Sequence, residues 1–183
     1  MSKKASLLWI DLEMTGLDPT NDAILEVAAI ATTHDLKEIA NYEGIVKVDE
    51  QILQQRLKEN HEFWDANPQA RNGLIKQNQI GKNSAVIEQE LIKFVDDNFD
   101  ADKPIYLSGN SVHMDQKFIE KNWPDLTKKL HYRILDVSAW KIVFENKYKK
   151  KFAKPEEHRA LSDIRGSIDE LKYYLRYVGK QSK

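Results

Sequence analysis

The chain has 183 residues, a formal net charge of −1 and no cysteine, with 41% hydrophobic and 31% charged residues. These values are typical of one domain with a sizeable core, so we expect residues 1–183 to form a single domain. They exclude disulfides, thiolate metal sites and cysteine nucleophiles. They also argue against a protein that coats long nucleic acids, although a very short oligonucleotide needs few cationic contacts.

The N-terminal segment before Asp11 contains too few uncharged residues for a signal peptide or a membrane-spanning helix. The lack of cysteine suits a reducing compartment. We therefore expect a cytoplasmic protein that makes no use of a membrane.

The first predicted element lies within residues 7–17, whose sequence is LLWIDLEMTGL. It begins as an apolar run typical of a buried strand. Side chains alternate along a strand, so Asp11 and Glu13 point to the same side, with Cα atoms about 6–7 Å apart. Burying both acids is costly unless a hard cation such as Mg²⁺ or Mn²⁺ binds them. A strand that ends in solvent explains the same pattern, so this stretch leaves both interpretations open.

Two further strands are predicted at 24–33 and 39–48, because both segments are rich in β-branched and other apolar residues. A turn around Asp35 separates them. Three strands in series predict an antiparallel or mixed meander.

Helical patterns follow the meander. Asp49 is placed to cap a helix over residues 50–57. Apolar residues at helical spacing, including Ile87 and Leu91, predict a longer helix with Ser84 as its cap.

The next segment combines short strands with one helix. Residues 104–107 predict a strand, and Ser111 is placed to cap a helix that ends at Trp123 before a proline. Residues 132–137 predict another short extended piece.

The clearest helical pattern lies near the end of the chain, where Gly179 is the expected stop. Its apolar stripe consists of Leu161, Ile164, Ile168, Leu171 and Leu175. Strands followed by helices with interspersed short strands predict an α/β fold, a mixed central sheet flanked by helices.

Two more acids stand at informative places. Asp115 falls in the first turn of the helix after Ser111, where an acid also has an ordinary role in stabilising a helix start. Asp163 lies within the apolar pattern of the last helix, so its carboxylate needs a partner. His158 comes five residues earlier, and a histidine has the pKa that a general base needs near neutral pH.

These residues combine into one chemical hypothesis. Three or four carboxylates can hold two divalent cations about 3.5–4 Å apart, the usual arrangement for in-line phosphoryl chemistry. The cations would activate the attacking water and neutralise charge on the leaving 3′ oxygen, and His158 would accept the proton of the water.

The order Asp11-x-Glu13, Asp115 and His158-x4-Asp163 resembles that of the DEDDh exonucleases. The resemblance implies 3′→5′ exonuclease activity and an RNase H-like fold. It also implies that the four acids bind two Mg²⁺ or Mn²⁺ ions and that His158 is the general base.

Further motifs narrow this resemblance to the oligoribonuclease family. They are DLEMTGLDP at 11–19, GNS at 109–111, HYRILDVS at 131–138 and DIR at 163–165. Several separate motifs in one order are far more specific than Asp-x-Glu alone. The implied activity is hydrolysis of very short single-stranded RNA, of two to five nucleotides and especially dinucleotides, to 5′-mononucleotides.

The family resemblance also implies substrate contacts. Leu17 would insert between two bases and Trp64 would line a base pocket, although both residue types also serve as ordinary core residues. Ser111 would contact the 5′ phosphate with Ser138 nearby. Tyr132 and Arg133 would reach across from the partner subunit of an obligate homodimer, closing a phosphate cap that selects dinucleotides by length.

Two departures from the family pattern are present. Gln69 stands where the family often has a histidine, and glutamine donates a hydrogen bond to phosphate without carrying a charge. Residues 159–162 lack the additional acid that is common beside Asp163, but the ligand itself is retained.

Two other functions remain open from the sequence. One is a DEDDh exonuclease that acts on longer RNA or DNA ends. The other is a catalytically silent module that binds dinucleotides, against which the five intact catalytic-type residues argue.

Overall fold

The structure is a computed structural model that describes residues 4–153 and 160–178. Its five strands are β1 (Leu7–Met14), β2 (Ile24–Thr32), β3 (Glu38–Ile45), β4 (Tyr106–Gly109) and β5 (Leu135–Asp136). The helices of the described residues are α1 (Glu50–Glu59), α2 (His61–Ala66), α3 (Pro68–Asn78), α4 (Ser84–Asn98), α5 (His113–Asn122), α6 (Pro124–Thr127), α7 (Val137–Asn146) and α8 (Ala160–Val178).

The strands form one sheet in the order β3–β2–β1–β4–β5. β1, β2 and β3 pair antiparallel, whereas β4 pairs parallel with both β1 and β5. The predicted α/β class with a mixed central sheet is confirmed, and so is the N-terminal meander.

The alternation along β1 assigns its side chains to two different cores. Leu8 and Ile10 face a core that they share with α4 and α5. Trp9 faces the opposite core, beneath α7 and α8, and its indole Nε1 donates to Thr32 Oγ1 at 2.9 Å. Asp11 and Glu13 continue the Trp9 face, so they emerge under α8.

A third, smaller core holds α1, α2 and α3 beside the end of the meander. Leu53, Leu57 and Trp64 pack there against Leu25 of β2. Asn78 joins α3 to the segment after β3, because its side chain accepts a hydrogen bond from Val48 N at 2.8 Å and donates one to Val48 O at 2.9 Å. These helices therefore stand next to the turn that follows β1.

Several predicted boundaries need correction. β3 ends at Ile45, not at residue 48, because Val46 and Lys47 pair with Lys82 instead. The cap of α4 is Asn83, whose side chain accepts from Ala85 N, and Ser84 is the first helical residue.

The helix of Asp115 also begins differently from the prediction. α5 starts at His113 after Val112, with no side-chain cap, so Ser111 does not cap it. Only Leu135–Asp136 of the predicted extended piece 132–137 pairs as a strand. α2, α3, α6 and α7 were not predicted.

The last helix is confirmed at Ala160–Val178, but Leu175 of its predicted stripe is exposed. The expected stop at Gly179 lies outside the described residues. None of the helices in the described part of the chain combines the length and apolar character needed to cross a lipid bilayer.

Candidate active site

Three of the predicted carboxylates meet at the end of β1. Asp11, Glu13 and Asp163 each place one oxygen within 4.8 Å of those of the other two, and all three side chains are half-buried. β1 contributes two acids from one face, and the first turn of α8 brings the third onto them. A set of oxygen ligands at this spacing fits a hard divalent cation such as Mg²⁺ or Mn²⁺.

The fourth acid, Asp115, contacts β1 at Leu12 and is not one of the three acids whose oxygens lie within 4.8 Å of one another. Its side chain is buried in the first turn of α5, and its Oδ1 accepts from Leu12 N at 3.0 Å. Burial raises the pKa of the Asp115 carboxyl well above its ordinary value, and the charges of Asp11 and Glu13 raise it further. Without a cation, Asp115 therefore retains its proton to a higher pH than an exposed aspartate.

The predicted general base, His158, lies outside the described residues. Its role stays a prediction on sequence grounds.

A hydrogen-bond network fixes the turn that follows the β1 acids. Asp22 is buried, and its Oδ1 accepts from Thr15 Oγ1 at 2.9 Å, Arg56 Nε at 3.0 Å and Asn60 Nδ2 at 3.1 Å. Its Oδ2 accepts from Asp18 N at 2.9 Å. The hydrogen bond to Asp22 raises the pKa of Arg56. One carboxylate thus joins the turn to α1.

The same turn packs closely against α1 and α2. A Cβ at Gly16 would collide with Asn60 Nδ2 and Asp22 Oδ2, so no larger residue fits without displacing them. The Trp64 indole Nε1 donates to Thr15 O at 2.9 Å. The turn is therefore held from both sides.

An apolar cavity of about 320 Å³ opens directly beside Glu13. Leu17 forms part of its wall and is 69% exposed. Trp64, predicted to line a base pocket, is only 1% exposed and is not among the residues that line the cavity. The aromatic ring at the cavity is Phe63, which sequence reasoning missed. The sequence did not indicate which of the two adjacent aromatic residues, Phe63 or Trp64, would be exposed.

The predicted phosphate contacts Ser111 and Ser138 are close together. Their hydroxyl oxygens are 3.1 Å apart, and Ser111 N donates to Ser138 Oγ at 2.8 Å. Asp136 Oδ1 accepts from the backbone N–H groups of both serines, at 3.0 and 2.9 Å. Ser111 has a φ of 50°, a strained conformation for a residue with a side chain. The strain fits a functional position.

Asn110, a member of the GNS motif to which the sequence analysis gave no role, connects this region to α8. Its Nδ2 donates to Ser167 Oγ at 3.0 Å and to Glu170 Oε2 at 2.9 Å, and Tyr174 donates to the other oxygen of Glu170. The serine pair is therefore anchored to the helix that carries Asp163.

The remaining predicted contacts are exposed. Tyr132 is 73% exposed, and the guanidinium of Arg133 lies 4.9 Å from the centre of its ring. Gln69 is exposed in the first turn of α3. Within the single chain, no hydrogen bond of the described residues brings these three side chains to the carboxylate cluster.

Comparison with known protein families agrees with this geometry. Residues 8–171 match the RNase_T family model, described as an exonuclease. An oligoribonuclease of Hahella chejuensis is 37% identical over 186 residues, which cover 97% of each chain. Oligoribonucleases of Francisella tularensis and Bordetella pertussis are each 38% identical, over 95% of this chain and 96% of theirs.

Solved structures show the same fold in more distant proteins. The Escherichia coli exonuclease I in complex with single-stranded DNA aligns with a TM-score of 0.63 at 14% identity, over 93% of this chain. Exonuclease I of Methylocaldum szegediense aligns with a TM-score of 0.61 at 15% identity, over 94%. The chain spans about 40% of the length of either. The mixed sheet and its helices are thus an RNase H-like fold.

Proposed function

This chain belongs to the oligoribonuclease family of exonucleases, and we propose that it is a metal-dependent 3′→5′ exoribonuclease that hydrolyses very short oligoribonucleotides, especially dinucleotides, to 5′-mononucleotides. The observation that carries the proposal is the meeting of Asp11, Glu13 and Asp163, with Asp115 buried beside them. We further propose that residues 1–183 form a single exonuclease domain that acts in the cytoplasm.

The four carboxylates would hold two divalent cations, Mg²⁺ or Mn²⁺. Three of the carboxylates lie close together, and the positive charge of the cations would offset their mutual repulsion. When bound, such cations lower the pKa of water and stabilise charge on the transferred phosphoryl group. Burial and the neighbouring charges of Asp11 and Glu13 raise the pKa of Asp115, and a bound cation would favour its charged form. His158 would take the proton of the attacking water at a ring nitrogen.

The serine pair would bind the 5′ phosphate of the substrate. Ser111 and Ser138 can turn their hydroxyl hydrogens toward a phosphate oxygen, and Asp136 fixes both backbones. A site that holds the 5′ phosphate at a fixed distance from the carboxylates selects substrates by length. Leu17 is exposed in the turn that follows β1, and it would separate the two bases.

A homodimer would complete the phosphate cap. Tyr132 and Arg133 are exposed and would reach the serine pair of the partner subunit, and Gln69 would add an uncharged contact. Arg133 also lines an apolar groove of about 420 Å³ that contains Trp140. Leu175 in the wall of this groove is exposed, and so are Ile142 and Val143 on α7, the helix of Trp140, and these apolar side chains support burial of the surface against a second copy.

The proposal is tested by following the cleavage of 5′-labelled diribonucleotide, heptamer and 20-mer RNA with Mn²⁺, with EDTA as a control. We expect rapid Mn²⁺-dependent cleavage of the dinucleotide and much slower cleavage of the longer chains. Asp11→Ala should abolish turnover while the protein stays folded.

The other possible outcomes would contradict different parts of the proposal. Equal or faster cleavage of the 20-mer would keep the exonuclease chemistry and refute selection by length. Binding of the dinucleotide without cleavage would indicate a silent binding module. An Asp11→Ala variant with a rate close to that of the wild type would refute the metal-ligand assignment.

A further inference from the structure

A series of hydrogen bonds joins the serine pair to the carboxylate cluster, and Asn110 lies at its centre. On one side, Asn110 Oδ1 accepts from the hydroxyl of Ser138 at 3.4 Å. On the other side, Asn110 Nδ2 donates to Ser167 Oγ at 3.0 Å. Ser167 Oγ in turn donates to the backbone carbonyl of Asp163 at 2.9 Å. One side chain therefore connects the proposed phosphate site to the backbone of a proposed metal ligand.

A buried acid holds the Asn110 amide against α8. Glu170 is 1% exposed, and its Oε2 accepts from Asn110 Nδ2 at 2.9 Å. Its Oε1 accepts from the hydroxyl of Tyr174, which is fully buried, at 2.8 Å. The two hydrogens of the Asn110 amide thus have two acceptors on one helix, because Ser167 is the second. This arrangement fixes the orientation of the amide.

The backbone on either side of Asn110 is also constrained. A Cβ at Gly109 would lie 3.0 Å from the carbonyl oxygen of Ile10, so the end of β4 is packed closely against β1 just before the acids of that strand. Ser111 has a φ of 50°, a conformation that persists only where the surrounding contacts enforce it. Asp136 Oδ1 supplies one such contact by accepting from Ser111 N. Ser111 therefore follows a segment that is tied to both β1 and α8.

We infer that Asn110 is a positioning residue that sets the separation between the serine pair and the carboxylate cluster, and thereby the length of substrate that fits both. The inference rests on the proposed function, in which the serine pair binds the 5′ phosphate. A substrate is held at both sites only if their separation matches its own length, and a misplacement of about 1 Å is enough to weaken that fit. Asn110 acts through Ser111 and Ser138, not through contact with the substrate.

The test compares the wild type with Asn110→Ala on a dinucleotide that carries either a 5′ phosphate or a 5′ hydroxyl, and on the 5′-phosphorylated trinucleotide. Asn110→Ala releases the serine pair from α8, so KM for the 5′-phosphorylated dinucleotide should rise about ten-fold, the loss expected for one hydrogen bond to a charged group. KM for the 5′-hydroxyl dinucleotide, which lacks that bond, should stay unchanged. The preference for the dinucleotide over the trinucleotide should fall, while kcat changes little.

Three further measurements separate positioning from loss of stability. Asn78→Ala removes two side-chain hydrogen bonds in a different core, so it should lower stability and leave both substrate preferences unchanged. Glu170→Gln conserves volume but offers one acceptor oxygen to two donors, Asn110 and Tyr174, so it should weaken the preference for the 5′ phosphate in the same way as Asn110→Ala. Calorimetric binding of the two dinucleotides to the EDTA-treated proteins measures the contribution of the 5′ phosphate without turnover.

The outcomes distinguish this inference from the proposed function. If Asn110→Ala keeps the wild-type preference for the 5′ phosphate, or loses both dinucleotides equally, the positioning role is refuted, whereas cleavage by the wild type would still support the exonuclease. If Asn110→Ala does not fold, the same comparison on Glu170→Gln decides. If the wild type cleaves none of the substrates, the proposed function fails. The calorimetric preference for the 5′ phosphate then decides alone, since a lower value in the variant supports the positioning role and an equal value overturns it.

Discussion

Replacing Asp11 by asparagine should stabilise the metal-free protein, although it removes a proposed metal ligand. Oxygens of Asp11, Glu13 and Asp163 lie within 4.8 Å of one another. Two unit charges at that distance repel by about 3.5 kcal/mol at an effective dielectric constant of about 20, and by about 0.9 kcal/mol in bulk water. Asp11→Asn removes two of the three repulsive pairs.

The expected gain is smaller than the sum of these pairs. The three side chains are half-buried and so partly screened, and the unfolded chain also keeps some repulsion between the neighbouring acids Asp11 and Glu13. We expect the free energy of unfolding to rise by about 2 kcal/mol, which corresponds to about 4–8 °C in Tm for a chain of this length.

The assay is thermal unfolding by circular dichroism, in EDTA and in saturating Mn²⁺. Mn²⁺ at about 100 times its Kd would add about 2.7 kcal/mol to the wild type, and less to Asp11→Asn. The order of the two Tm values should therefore reverse between the two conditions. Asp102→Asn makes the same charge change at an exposed loop residue and serves as the control. If Asp11→Asn is less stable than the wild type in EDTA, mutual repulsion in the cluster is refuted.

Three further predictions concern buried polar groups. Because the pKa of Asp115 is raised in the folded state, its contribution to stability in EDTA is complete below about pH 4 and is lost as the pH rises through the raised value. Urea unfolding of the wild type and Asp115→Asn from pH 4 to 8 should therefore diverge with rising pH, and a constant difference would contradict this. Asp22→Ala removes the hydrogen bonds that Asp22 accepts from Thr15, Arg56 and Asn60, while Arg56 keeps its ion pair with Glu59. It should lower the free energy of unfolding by about 2–3 kcal/mol in urea titrations; a loss under about 1 kcal/mol would show that the network is not coupled to folding. Asn78→Ala leaves the Val48 backbone N–H and C=O without their hydrogen-bond partners. Urea unfolding should therefore show a free energy of unfolding lower by about 2–3 kcal/mol, and an unchanged midpoint would contradict the paired hydrogen bonds.

The sequence predicted the parts of the fold that depend on local alternation. The period of two along β1 placed Asp11 and Glu13 on one side, and the structure has them on the α8 face. The approach of Asp163 to that face is not a local property, because it depends on how α8 crosses the sheet. The chemistry of carboxylates suggested that approach as a hypothesis and the family motifs supported it, but the spacing within α8 did not predict it.

Other features depend on tertiary packing that no short window contains. Phe63 and Trp64 are adjacent, so a helix must turn one outward, and only the core around Leu53 and Leu57 decides that Trp64 is buried. Ser111 has the side chain of a typical helix cap, but its backbone is drawn to Asp136. Propensity therefore predicted the wrong partner for its hydroxyl.

The assembly of the site from β1 and α8 bears on when activity first arises during protein synthesis. Asp11 and Glu13 emerge from the ribosome early, whereas Asp163 and the apolar residues of α8 that cover Trp9 come late. A nascent chain that lacks α8 has neither the third carboxylate nor a closed core on that side of the sheet. The carboxylate cluster at the end of β1 can therefore form only after α8 has been synthesised.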